Sequence, residues 1–162
     1  MAYPLKSMIR IRSMREDRAA SDLTQARRAR RAAERTLREK TEAREQYEVT
    51  KESRRDRVYD AVIGHAVKID ALDRARDAVR HIDEEGVLLE EDEKKAERDL
   101  EARTREASAA HVRYVAAQKN KQKIELHREA WEEEDRKEQE RLADIELEEF
   151  AGKRQEGVND DF

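Results

Sequence analysis

From Leu5 to Phe150 the chain has no proline and only two glycines, Gly64 and Gly86. Along much of this stretch one heptad phase persists. Ala75, Ile82, Leu89, Ala96, Ala110, Ala117, Ile124, Trp131 and Ile145 fall on a single seven-residue series, broken by Arg103 and Glu138. Three residues earlier in each heptad come Leu72, Val79, Leu100, Ala107, Tyr114 and Leu142. Steps of three and four at constant phase put these side chains on one seam of one helix, which is coiled-coil patterning.

Composition agrees with the pattern. Of 162 residues, 47% are charged, 36% hydrophobic and 4% aromatic. That is too little apolar mass to close a compact core, whereas charged helix formers with heptads indicate long paired helices. The fold class expected is all-α, a long two-helix antiparallel coiled-coil hairpin. With no cysteine, thiol chemistry and disulfides are excluded. Met1 to Arg12 contains no long apolar run, so no signal peptide is expected. No stretch reaches the roughly 20 apolar residues that span a bilayer. A cytoplasmic protein without direct membrane insertion is the expectation.

The first helix is expected over about Leu5 to Val62, after Pro4, a residue tolerated near a helix start. Its seam is thin: Leu23, Ala26, Ala33, Leu37 and Tyr47 are its main members. The second is expected over about Ala66 to Phe150, with Leu89, Ala96, Leu100, Ala110, Tyr114 and Ala117 on the facing seam. Residues 1–151 are expected to form one domain, and 152–162 are read as a disordered tail. Glycine is the usual residue just past a helix end. The heptad series runs through Gly86 without a phase change, so the turn belongs at Gly64, over 63–65. In that register residue i faces roughly residue 129 minus i.

Charge supplies a second argument. Residues 1–58 carry 17 Lys/Arg against 10 Asp/Glu, while residues 83–162 carry 15 against 26. The register sets Arg27, Arg28, Arg30, Arg31, Arg35 and Arg38 against Glu91, Asp92, Glu93, Glu97, Asp99 and Glu101. It also leaves the second helix without a partner beyond about residue 123. Two readings of Trp131 then stand: it packs in the hairpin seam, or with Ile124, Leu142 and Ile145 it offers a docking stripe.

No catalytic constellation is present. His65, His81, His111 and His127 are scattered, with no metal-ligand spacing. There is no glycine-rich phosphate loop. Neither cofactor nor enzymatic activity is expected. The arginine block surrounds its helix instead of lining one face, unlike the basic region of a DNA-gripping zipper, so no nucleic-acid partner is expected.

The two ends carry a resemblance. Tyr3-Pro4-Leu5 is followed by Met8-Ile9-Arg10-Ile11-Arg12, and Lys123-Ile124-Glu125-Leu126-His127-Arg128-Glu129-Ala130-Trp131 precedes a Glu/Lys/Arg-rich helix. This resembles the YscO-type (SctO) central stalk proteins of bacterial type III secretion, chlamydial members in particular, whose flagellar relatives are the FliJ family. The resemblance implies a hairpin similar to the coiled coil of the ATP synthase gamma subunit. It implies a non-enzymatic stalk at the base of the secretion apparatus, between the hexameric secretion ATPase and the export-gate membrane protein, engaging secretion chaperones. A first helix rich in arginine and alanine departs from the family pattern and implies looser packing.

Two surfaces follow by analogy. Tyr3, Leu5, Met8, Ile9, Arg10, Ile11 and Arg12, with Ile124 and Trp131, are expected to dock on the ATPase. His65, Ile69, Leu72 and Val79, near the turn, are expected to form one stripe that binds the export gate; packing of Leu72 and Val79 on Val58 and Lys51 is the competing reading. A generic coiled-coil scaffold or nucleic-acid-associated rod is the alternative function.

Overall fold

The computed structural model describes residues 3–159. It consists of two elements, α1 (Lys6–Asp60) and α2 (Ile69–Asn159), and the described residues contain no strand. The two long helices pack together as a helical hairpin coiled coil. Among the described residues, no helix is long and apolar enough to cross a membrane.

The linker is wider than the sequence suggests. The amides of Val62 and Ile63 still bond the Tyr59 carbonyl, at 2.9 and 2.8 Å, so a helical turn winds on past Asp60. Gly64, at φ 79°, ends it. That left-handed conformation costs a glycine little and closes many helices. The chain is then non-helical to residue 68, where the Lys68 carbonyl accepts from Ala71 and opens α2. Ala66, Val67 and Lys68, expected to open the second helix, therefore lie before it. At its far end α2 continues past Phe150 to Asn159, so the backbone there is helical where an irregular tail was expected. Helix-forming Ala, Lys, Arg, Gln and Glu carry it on, and Gly152 and Gly157 each oppose it by only about 1 kcal/mol. Residues 160–162 of that expected tail lie outside the described residues.

The chain divides into two units. One comprises Asp22–His111, and its core is Leu23, Ala33 and Tyr47 from α1 with Val79, Ile82, Ala96, Ala107 and Ala110 from α2. Tyr47 fixes the register. Its Cε1 lies 3.0 Å from where a Cβ on Gly86 would stand, and its hydroxyl donates to the Ile82 carbonyl. Carried outward in steps of three and four, this register levels Leu23 with Ala110, Ala33 with Leu100, Leu37 with Ala96 and Val58 with Ala75. All eight are buried or half-buried. In these four layers a larger residue meets a smaller one, which keeps packing dense.

This is a correction of one helical turn. The sequence register opposed Ala33 to Ala96. It assumed a turn centred on Gly64, but Gly64 ends the first helical stretch and the non-helical segment follows it. The centre of the reversal is displaced toward α2, and so is every pairing.

The arginine block does not select the register either. Arg27, Arg28, Arg31, Arg35 and Arg38 are all exposed, and among the described residues none of them bridges to α2. Arg30 pairs with Glu34 on its own helix. The interhelical pairs are Lys40–Asp92 at 2.9 Å, Arg44–Glu93 at 2.5 Å, Lys51–Asp83 at 3.7 Å and Arg54–Glu85 at 2.8 Å. Arginines that wind around a helix mostly face away from its partner. Bridging falls instead to cations on the seam phase, whose stems pack while their heads reach carboxylates in the seam or beside it.

The second unit joins the residues up to Ser21 with those from Val112 onward. Here Ile124 is buried at 6% exposure, Glu16 pairs with Lys121 at 2.7 Å, and the Arg12 guanidinium donates to the Asn120 carbonyl at 2.5 Å.

Candidate docking surfaces

In this second unit the segment before α1 is tied to α2 by an aromatic clasp. Tyr3 precedes a proline, which disfavours helical backbone at the residue before it. Its ring therefore reaches across α2 instead of following the α1 spiral. The hydroxyl shares a 2.9 Å hydrogen bond with His127 Nδ1, and the ring meets the Trp131 indole edge-on, centroids 5.5 Å apart. Such edge contacts contribute roughly 1 kcal/mol beyond burial. Tyr3, Lys6, Ile9, Arg10, Arg128 and Glu132 line the groove beneath.

The clasp revises two expectations. Contact with the N-terminal segment reaches Glu132, so α2 is covered well past residue 123. Trp131 is accordingly half-buried against Tyr3, not free. Ile124 belongs to the core and is unavailable for docking. Of the nine residues expected to dock on the ATPase, Leu5, Met8, Arg10 and Ile11 are exposed, and Tyr3, Ile9, Arg12 and Trp131 are half-buried. Met14, at 61% exposure, continues this row as it winds about 60° round the helix at each step of three, and was missed. Its signal was available: Leu5, Met8, Ile11 and Met14 recur every three residues.

Near the linker the expected stripe does not hold as one face. His65 lies outside α2. Ile69 and Leu72 are exposed, at 80% and 43%, whereas Val79 is buried in the core. The exposed apolar residues around the linker are instead Ile63, Val67, Ile69 and Leu72. Helical spacing does not mark Ile63 and Val67, which lie in the linker; their place beside the capping glycine is the signal that does.

Leu23, Ala26, Ala33, Leu37, Tyr47, Leu89, Ala96, Leu100, Ala110, Tyr114 and Ala117 are buried or half-buried, whereas Leu72, Leu142 and Ile145, on the same heptad series, are exposed. Polar residues share the same phase. Arg44 and Glu93, and Glu16 and Lys121, occupy seam positions and pair with each other. Hydrogen bonding to Glu16 holds the Lys121 ammonium above its ordinary range. Among the described residues, no group of three or more His, Asp or Glu is placed to hold a metal ion. What the surface offers is apolar contact flanked by charge.

A family model described as type III secretion protein YscO matches residues 5–153. In fold, the chain is similar to the solved structure of CT670 from Chlamydia trachomatis, a protein proposed to be a YscO homolog. The TM-score is 0.81 at 22% identity, covering 100% of this chain and 99% of that one. No curated protein matches.

Proposed function

The chain belongs to the YscO family of type III secretion proteins, and from that premise we propose that it is the central stalk of the secretion apparatus. In this reading it links the hexameric secretion ATPase to the export gate, stimulates the ATPase and engages chaperones on the cytoplasmic side. It carries out no chemistry of its own. The observation that carries the reading is the exposed apolar band Leu5, Met8 and Ile11, with Arg10 and Arg15 beside it, on a helix otherwise dominated by charge. Exposed apolar surface bounded by polar residues marks a protein contact. A single asymmetric hairpin in a six-fold ring touches only some subunits, and a ligand shifts an equilibrium by its differential affinity for the states. Unequal contact therefore biases the ring toward assembly and turnover.

For the gate, the surface proposed is Ile63, Val67, Ile69 and Leu72. Both surfaces are tested with the full chain. Adding it to the cognate ATPase should raise the hydrolysis rate. Met8→Glu with Ile11→Glu should remove the stimulation while helix content by circular dichroism stays put. Ile69→Glu should abolish binding to the cytoplasmic part of the gate and leave the stimulation intact. An ATPase rate indifferent to the unaltered protein over a wide range of stoichiometry sinks the stalk reading.

A further inference from the structure

We propose that α2 from Glu132 to Phe150 is a docking strip for a basic amphipathic helix of another protein, taken up in continuation of the hairpin's own seam. The inference rests on the strip itself and not on the ATPase reading.

Leu142 and Ile145 stay on the two heptad series that, further back, bury Ala107, Ala110 and Ile124. The phase is kept, yet the cover is gone. The groove beneath Tyr3 reaches Glu132, and every residue from 141 to 150 is exposed, Leu142 at 48% and Ile145 at 39%. A helix end that only had to be soluble would have no need of an apolar pair held in register, whereas a coiled-coil partner requires one.

Charge says which partner. Between residues 132 and 149 there are ten carboxylates against Arg136, Lys137 and Arg141. Asp135, Glu138 and Glu149 fall on the seam series themselves. The chain already shows how an acidic stretch of α2 is covered. In the unit Asp22–His111, α1 places Lys40, Arg44, Lys51 and Arg54 on its seam phase, and they reach Asp92, Glu93, Asp83 and Glu85. The strip repeats the acidic half of that arrangement: Glu133 and Glu138 pair only with Lys137 and Arg141 of their own helix, Asp135 accepts from Gln139, and no second helix supplies cations across the seam there among the described residues. Its complement is a helix with Lys or Arg at about half of its seam positions and Leu, Ile or Ala at the others. A second copy of the strip is the wrong occupant, because like charge would face like charge.

The probe is a fluorescent designed peptide of about three heptads, with Leu at one core position, Arg at the other and Lys at the flanks. A control peptide carries Glu in place of every Arg and Lys. Titrated with the full-length chain, the basic peptide should bind one to one, gain helix content, and weaken as salt rises. Leu142→Glu with Ile145→Glu should weaken binding at least tenfold. Both positions are exposed, so far-ultraviolet circular dichroism should not change. Several outcomes overturn the proposal: no binding, equal binding of the two peptides, or indifference to the double variant. Self-association of the chain that the double variant abolishes also overturns it, because the strip would then belong to a second copy.

Discussion

The Tyr47 ring lies on Gly86, one the largest and the other the smallest residue of its helix's seam between Asp22 and His111. A Cβ at Gly86 would stand 3.0 Å from Tyr47 Cε1. The ring cannot swing away cheaply, because its hydroxyl is bonded to the Ile82 carbonyl and the Arg54 guanidinium sits 5.4 Å above its centre. Burial, assisted by nearby Glu85, pushes the phenol above its ordinary value and keeps it a donor throughout the physiological range.

Gly86→Ala should therefore destabilise the hairpin even though alanine is the better helix former. In a Tyr47→Ala background the same change should stabilise it, by the roughly 1 kcal/mol of helix propensity that is then unopposed. Tyr47→Phe, which removes only the hydroxyl, should cost about 1 kcal/mol. Urea unfolding of the four members of the cycle, followed at 222 nm, checks this. Additive effects of the two changes would show that the ring does not depend on the glycine.

Cross-linking tests the same register. With Tyr47 on Gly86, Leu37 stands level with Ala96, and Ala33 with Leu100. Cysteines at 37 and 96 should oxidise within one chain faster than cysteines at 33 and 96, since a disulfide needs Cα atoms within about 7 Å. Non-reducing electrophoresis of the two double variants, sampled over time, gives the comparison. The reverse order would restore a turn centred on Gly64.

The fold was legible because its information is periodic. Both heptad series on α2 can be read from Ala75 to Trp131 without any knowledge of α1, and Gly64 is the one glycine that breaks a phase. The pairing was not legible, for two physical reasons. A glycine marks where a helix ends, not how far the chain travels before the next begins, and residues 65–68 supplied one turn of unforeseen displacement. Charge blocks mislead as well: arginines at 27, 28, 31, 35 and 38 look like a matching surface in one dimension but point outward in three. Exposure at the proposed docking residues was partly legible: Leu5, Met8 and Ile11 are exposed, whereas Ile124 and Val79 lie in the buried part of the seam.

Acid should weaken the pairing of Asp22–His111. The hydrogen bond and charge of Lys40 hold the Asp92 carboxyl below its ordinary value of 3.8. A carboxyl depressed in the folded state stabilises it at pH values above the unfolded value, and that contribution disappears as pH falls through the folded one. The melting temperature should thus drop as pH is lowered from about 5 toward 3. Asp92→Asn should start from a lower value near neutrality and change less over the same interval. Because the pair is partly exposed, added salt should shrink the difference between the two proteins. Parallel curves for the two proteins would show that Asp92 contributes nothing.

One layer of the seam works against the hairpin. The register that puts Tyr47 on Gly86 also brings Arg30 level with Arg103, between the Ala26–Ala107 and Ala33–Leu100 layers, and both arginines are half-buried. Each is neutralised along its own helix instead of across the seam, Arg30 by Glu34 and Arg103 by Asp99 and Glu106. Hydrogen bonding to Glu106 holds the Arg103 guanidinium above its ordinary range. The local pairs relieve the like-charge contact but leave two polar heads where coiled coils put apolar side chains. Arg30→Leu together with Arg103→Leu should raise the melting temperature, with each single change giving less than half of the combined gain because one leucine still meets a charge. The double variant should also lose some specificity of pairing, since polar layers penalise alternative registers and oligomers. Analytical ultracentrifugation beside thermal unfolding reads both effects. A melting temperature that falls in the double variant would mean that the two guanidiniums support this layer, and the register drawn from Tyr47 would not extend to it.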